Sequence, residues 1–184
     1  MARIRVSIDG MAEILHLWAL APAAVGTCCL AADGRRTRGR IPELAASALM
    51  LLAMADAAGP GWIAPVYSAG LLLAAAMTLV ALRGARREGH RRRDRAELAM
   101  TAHAAVGLIV MAALLLGMDH AAEASGGHAH GPSAAAVAAL FVAGAAAYAL
   151  WSGWEAARAH SPLGRLQFGA MGAATLAMGL AGVI

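Results

Sequence analysis

The chain reads as an all-α, polytopic membrane bundle of about six transmembrane helices. Three observations predict it. First, 60% of the 184 residues are hydrophobic and the mean hydropathy is +0.63, whereas soluble domains hold roughly 45–50% apolar residues. Second, the apolar residues gather into continuous runs rather than scattering. Third, the arginines fall almost wholly between those runs. At roughly 20 residues per crossing, a single transmembrane domain over residues 1–184 accommodates six spans and leaves no length for a separate globular domain.

The runs lie at about 11–32, 41–58, 62–82, 98–118, 133–153 and 162–184. Each is close to the length that crosses about 30 Å of hydrocarbon at about 1.5 Å per residue. Helix is the form they should take, because inside lipid a segment must satisfy its own backbone polar groups. A β-barrel would show short alternating stretches, and these runs are continuous and rich in Ala and Leu. The first run carries Glu13 and His16, and it continues past the small-x-small sequence Ala21-Pro22-Ala23. With Asp9 and Glu13 diluting its basic start, it is expected to remain as a span and not to be cleaved as a signal peptide.

Connector charge sets the topology. The first connector holds Arg35, Arg36, Arg38 and Arg40; the third holds Arg83, Arg86, Arg87, Arg91, Arg92, Arg93 and Arg95; the fifth region holds Arg158 and Arg165. The second (59–61) and fourth (119–132) hold none. Short positively charged loops stay in the cytoplasm, so the odd connectors should face inward and the even ones outward. Both termini then lie outside the cytoplasm in the cell (inner) membrane. Arg3 and Arg5 oppose this, but thirteen arginines outweigh two.

A repeat runs through the helices that rise from the cytoplasm. The second begins Arg40-Ile41-Pro42-Glu43-Leu44-Ala45, the fourth Arg95-Ala96-Glu97-Leu98-Ala99, the sixth Arg165-Leu166-Gln167-Phe168-Gly169. Each places a basic residue before Glu or Gln and then an apolar–small step, as copies related by an axis along the membrane normal would. Small residues in the fifth run (Gly144 among alanines) and the sixth (Gly169, Gly172, Gly179, Gly182) permit close helix approach, which drives association in lipid. Trp62, Trp151 and Trp154 suit interfacial anchoring.

The segment Leu49-Met50-Leu51-Leu52-Ala53-Met54-Ala55 and the tail from Ser161-Pro162-Leu163-Gly164-Arg165 through Ala170-Met171 to Ala177-Met178-Gly179 resemble a mostly actinobacterial family of small multi-pass membrane proteins, the domain-of-unknown-function family fifty-one thirty-four. The similarity extends over most of the chain. It supports the helix number and implies no activity. Members place a histidine one or two turns before the Met repeat; here the second helix has Glu43, and the fourth has Glu97 and His103.

With the topology set, the side chains able to carry chemistry sort by face. His16, Asp56, Met118, Asp119, His120, Glu123, His128 and His130 fall toward the outer side, together with Met50, Met54, Met111 and Met178. Spacings of four (Met50/Met54) and seven (Met111/Met118) keep each pair on one helix face. Thioethers select Cu(I), while imidazole and carboxylate suit Cu(II) or Zn(II). The expectation is an outward-facing site of His16, Met118, Asp119, His120, His128 and His130 that binds or handles metal, copper before zinc. The alternative is a non-catalytic subunit packing against membrane-protein partners or a second copy. Within the spans, Glu43, Glu97, Asp56 and His103 are costly in lipid and therefore functional candidates. Glu43 and Glu97 lie near the cytoplasmic boundary beside Arg40 and Arg95, where pairing or snorkelling would satisfy them. His103 is deeper and suits a proton carrier, a ligand or a hydrogen bond to a neighbouring helix.

Other classes are disfavoured. All the basic residues are arginines placed between apolar runs, a pattern that orients a membrane protein and does not build a nucleic-acid-binding face. Cys28 and Cys29 are adjacent, which strains a disulfide, and show no zinc spacing. His16 and His103 differ in depth by roughly 13 Å on the helix rise, too far apart to bracket one haem iron, which leaves His16 with His120 as the pair open to a haem. No GxSxG, HExxH or phosphate-loop motif is present, so the chain is not expected to be an enzyme.

Overall fold

In the computed structural model, residues 2–32, 40–59, 61–87, 95–124 and 134–182 are described, with side chains over 14–32, 40–59, 61–84, 98–117 and 136–182. The described residues form six helices and no strand: α1 (Ala2–Ala32), α2 (Ile41–Ala58), α3 (Pro65–Arg87), α4 (Arg95–Ala124), α5 (Ala134–Arg158) and α6 (Pro162–Ala181). Five contain stretches long and apolar enough to cross a membrane: Ile14–Ala32, Ile41–Ala58, Pro65–Gly84, Leu98–Gly117 and Ala136–Arg158. The sixth helix falls short because Arg165, Gln167 and its glycines dilute it.

Helix bounds depart from the hydropathy runs in a consistent way. α1 starts at Ala2 rather than near 11, and α3, α4 and α5 end five or six residues beyond the apolar stretch. Hydropathy marks where hydrocarbon ends, whereas a helix continues until its backbone is capped or broken. Proline and capping set several starts. Pro42 and Pro162 stand in the first turns of α2 and α6, where a missing N–H costs nothing. Ser161 caps α6, its Oγ accepting from Gly164 N at 3.1 Å. Pro22 sits inside α1, which membrane helices tolerate when neighbours and local adjustments satisfy the freed carbonyl.

The helices close into a ring in chain order, α6 returning to pack extensively on α1, with α5·α6 and α3·α4 the other broad contacts. α4 also touches α2 and α6, making it the most central helix. One continuous core includes Ala19, Met50, Met54, Leu72, Leu108, Met111, Ala145, Met171 and Met178. The outer face is the reverse of a soluble protein's. Leu52, Leu71, Val80, Leu140, Leu150 and Leu166 are exposed, as lipid-facing residues should be. Trp18, Trp62 and Trp154 are exposed near the ends of their spans, and Arg158 lies 4.4 Å over the Trp154 ring. Trp151, by contrast, is half-buried and serves the interior rather than the interface.

Candidate functional site

Most of the polar side chains buried inside the bundle, Ser68 and Thr175 apart, collect at the arginine-rich end. Glu43 near the start of α2, Arg83 near the end of α3 and Thr101 on α4 form one cluster. Glu43 is fully buried and Arg83 is 8% exposed. The Glu43 Oε1 accepts from Arg83 Nε at 2.8 Å, from Arg83 Nη2, and from Thr101 Oγ1 at 2.9 Å. Oε2 has no hydrogen-bond donor among the described residues. Of the two ways the sequence offered to satisfy Glu43, an ion pair or snorkelling beside Arg40, the ion pair is the one formed, with a different partner: Glu43 turns inward and pairs with Arg83, 40 residues away. In a low-dielectric interior an unpaired charge is costly, so carboxylate and guanidinium are stable there only together.

His103 builds the second cluster on the opposite side of α4. Two residues after Thr101, it is rotated by about 200° from it on a helix of 3.6 residues per turn, and so faces α5 and α6. Ser152 Oγ donates to the Tyr148 carbonyl at 2.7 Å, so its lone pair accepts the His103 Nε2 proton at 2.8 Å. This network assigns the proton to Nε2. Nδ1 is left as an acceptor facing the Tyr148 hydroxyl at 3.2 Å, which lies equally far from the His103 carbonyl oxygen. The rings of Tyr148, Trp151 and Phe168 enclose the imidazole at centroid distances of 4.8, 5.3 and 4.7 Å.

Two glycines make room for this cluster. A Cβ on Gly107, one turn above His103, would lie 2.5 Å from the Tyr148 hydroxyl. A Cβ on Gly172 would lie 2.7 Å from the Ser152 Cβ. Glycine at these positions lets α4 and α6 approach α5 closely enough for the hydrogen bonds to form. The result is an imidazole hydrogen-bonded at both nitrogens and packed on three sides. Such a network fixes helix position, the hydrogen-bonding alternative that the sequence allowed for His103.

The opposite end of the bundle looks different. Asp56 caps the turn after α2: its two carboxylate oxygens accept from Trp62 N at 3.0 Å and Ile63 N at 3.1 Å, and its carbonyl accepts from Gly61 N at 3.1 Å. These bonds account for Asp56 as a turn-holding residue. Of the expected metal ligands, His16 is half-buried on α1 within the first span. Met118, Asp119 and His120 lie on the last turns of α4, with side chains outside the described residues, and His128 and His130 fall outside the described residues altogether. Among the described residues no group of three or more His, Cys, Asp or Glu side chains gathers to hold a metal. Cys28 and Cys29 are free thiols.

Methionine distribution gives the interior its other chemical feature. Of the seven methionines with described side chains, Met50, Met54, Met100, Met111, Met171 and Met178 are buried and Met77 alone is exposed. Leucine, of similar size and hydrophobicity, has six buried, nine half-buried and nine exposed positions among the described side chains. Lipid is as apolar as a leucine core, so hydrophobicity alone does not draw methionine inward. Packing flexibility or thioether chemistry must.

Sequence reasoning missed Arg83, Thr101, Tyr148 and Ser152. Tyr148 and Ser152 are four residues apart, hence on one helix face, and that pairing was the available signal. Comparison of the chain with protein-family models, with curated proteins and with solved structures found no match.

Proposed function

We propose that the chain is a six-crossing protein of the cell membrane, both termini outside the cytoplasm, that handles copper. The first part is supported by the antiparallel ring, which brings to one side the helix ends that flank the arginine-rich connectors, the side that short basic loops keep cytoplasmic; Arg3 and Arg5 stand at the other end, in the first turns of α1. α6 serves as the sixth crossing. Its 20 residues reach about 30 Å, and its polar Gln167 and Thr175 are buried against neighbours rather than turned to lipid.

The observation that carries the copper reading is the inward segregation of methionine, six of seven against six of fifteen for leucine at the extremes of exposure. Thioethers prefer Cu(I) over the harder divalent ions. The outward residues Met118, Asp119, His120, His128 and His130, with His16, supply the imidazole and carboxylate groups that would capture copper or zinc at the outer entrance. Elemental analysis of protein purified in detergent under reducing conditions tests the reading: copper should be retained near one equivalent. Changing His120, His128 and His130 to alanine should lower loading. Copper at background in protein from copper-supplemented cells would overturn it.

A second reading, a non-catalytic subunit that packs against partner membrane proteins or another copy, is favoured by one observation. The His103 cluster is hydrogen-bonded within the bundle, as a scaffold would be. Absence of metal together with a stoichiometric co-purifying membrane protein would establish it.

A further inference from the structure

We infer that Met54, Met111 and Met178 form a trithioether site for a monovalent soft ion, Cu(I), on the axis of the bundle; this rests on the copper reading above. Each is fully buried, at 0% exposure, and each comes from a different helix, α2, α4 and α6. All three belong to the same core cluster, and α4 packs against both α2 and α6.

The three share a level in the membrane. The Thr101–Glu43 hydrogen bond fixes the heights of α4 and α2 relative to one another. Met54 lies eleven residues beyond Glu43 and Met111 ten beyond Thr101, about 16 and 15 Å farther along the bundle at 1.5 Å per residue. For α6, the Phe168 ring rests on His103, and Met178 is ten residues beyond Phe168, about 18 Å above the same reference. The approach of Gly179 to Leu114, 3.8 Å from a Cβ to Cδ2, independently sets Met178 within about a turn of Met111.

Each also lies on the buried side of its helix. On α4, with about 100° per residue, Met111 projects between Thr101, which faces α2, and His103, which faces α5 and α6. That direction is opposite the exposed Ala102, Val106 and Ile109. Met54 stands opposite the exposed Ile41, Ala45 and Leu52 side of α2, and Met178 opposite the exposed Gly169, Ala173 and Leu180 side of α6. The helices that supply them are the three that rise from the arginine-rich end with similar opening sequences. Met54, Met111 and Met178 follow Arg40, Arg95 and Arg165 by 14, 16 and 13 residues. A threefold-like set of thioethers at one depth is the arrangement a trigonal Cu(I) ion takes. The ligands are neutral, so the bound ion keeps its single charge inside a low-dielectric bundle. Such a site holds copper in passage rather than storing it tightly.

The test is a Cu(I) titration of the full chain in detergent, under reductant, against a chromophoric Cu(I) chelator, with copper X-ray absorption on the loaded protein. Ag(I) serves as a redox-inert second probe. Leucine conserves methionine's volume, so M54L, M111L and M178L should fold, with M171L as the buried control. The expected result is an all-sulfur shell, a loss of Cu(I) affinity of about 10–100-fold for each of the three variants, and little change for M171L. If the three leucine variants bind as the parent does while changing His120, His128 and His130 to alanine abolishes binding, this site is overturned and the copper reading stands. A nitrogen- and oxygen-only shell in the parent likewise overturns it, even if the leucine variants fail to fold. No Cu(I) or Ag(I) binding by the parent sinks both.

Discussion

Replacing Gly107 by alanine tests whether the His103 cluster holds α4 against α5. The added Cβ would sit 2.5 Å from the Tyr148 hydroxyl oxygen and 3.1 Å from its Cζ, so the tyrosine ring must move or the helices must part. Overpacking of this kind costs about 1–3 kcal/mol. Displacing the hydroxyl from His103 loses a hydrogen bond of about 0.6 kcal/mol in membrane proteins. Alanine returns about 1 kcal/mol of helix propensity relative to glycine. The net expectation is destabilisation of about 0.5–2.5 kcal/mol. Y148F alone, which removes the hydroxyl and no packing, should cost about 0.5–1.5 kcal/mol. Because the atom closest to the new Cβ is the one Y148F deletes, the two changes must couple, with the double variant less destabilised than the sum by about 1 kcal/mol. Unfolding in mixed micelles by an added denaturing detergent measures all four proteins. Tryptophan emission is a suitable signal, since Trp151 stands 6.1 Å from Tyr148. Additivity within about 0.5 kcal/mol, or a Gly107→Ala protein as stable as the parent, would refute the proposed packing.

Three other outcomes follow from the geometry. Glu43→Gln leaves the Arg83 guanidinium buried without its carboxylate and should destabilise the bundle by about 3–5 kcal/mol; E43L combined with R83M should recover most of that loss, and failure to recover would point to a role for the charges beyond pairing. Asp56→Ala removes two acceptor atoms from an exposed turn and should cost about 1 kcal/mol with no effect on copper loading, which parallel unfolding and elemental analysis would check. Reporter fusions in the fourth connector should report the outside of the membrane, and fusions in the first and third should report the cytoplasm. The opposite pattern would remove the outer histidines from the compartment assigned to them.

Lipid explains which features were legible from sequence. Six apolar runs, with arginines gathered in alternate connectors, predict six helices, since hydrocarbon admits little else, and the described structure has that number. Helix ends were read short because the residues that extend α1, α3 and α5 are polar ones that a hydropathy run excludes. The interior was harder. Glu43 and Arg83 are 40 residues apart and His103 and Ser152 are 49 apart, and no local pattern says that α2 meets α3 or α4 meets α5 at those positions. Trp151 looked like an interfacial anchor of the same kind as Trp154, yet one turns toward His103 and the other lies exposed beneath Arg158. Three residues along a helix is enough to separate those fates. The expected outer metal ligands lie, His16 excepted, on side chains or segments outside the described residues. The methionines that the sequence grouped with them stand in the core.

Copper occupancy bears most directly on the whole account. Protein produced in copper-supplemented cells and purified under reductant should carry about one copper per chain, and X-ray absorption should place sulfur around it. Copper no higher than in a mock-purified sample, after Cu(I) has also been offered in vitro, would contradict the account and leave the bundle a scaffold.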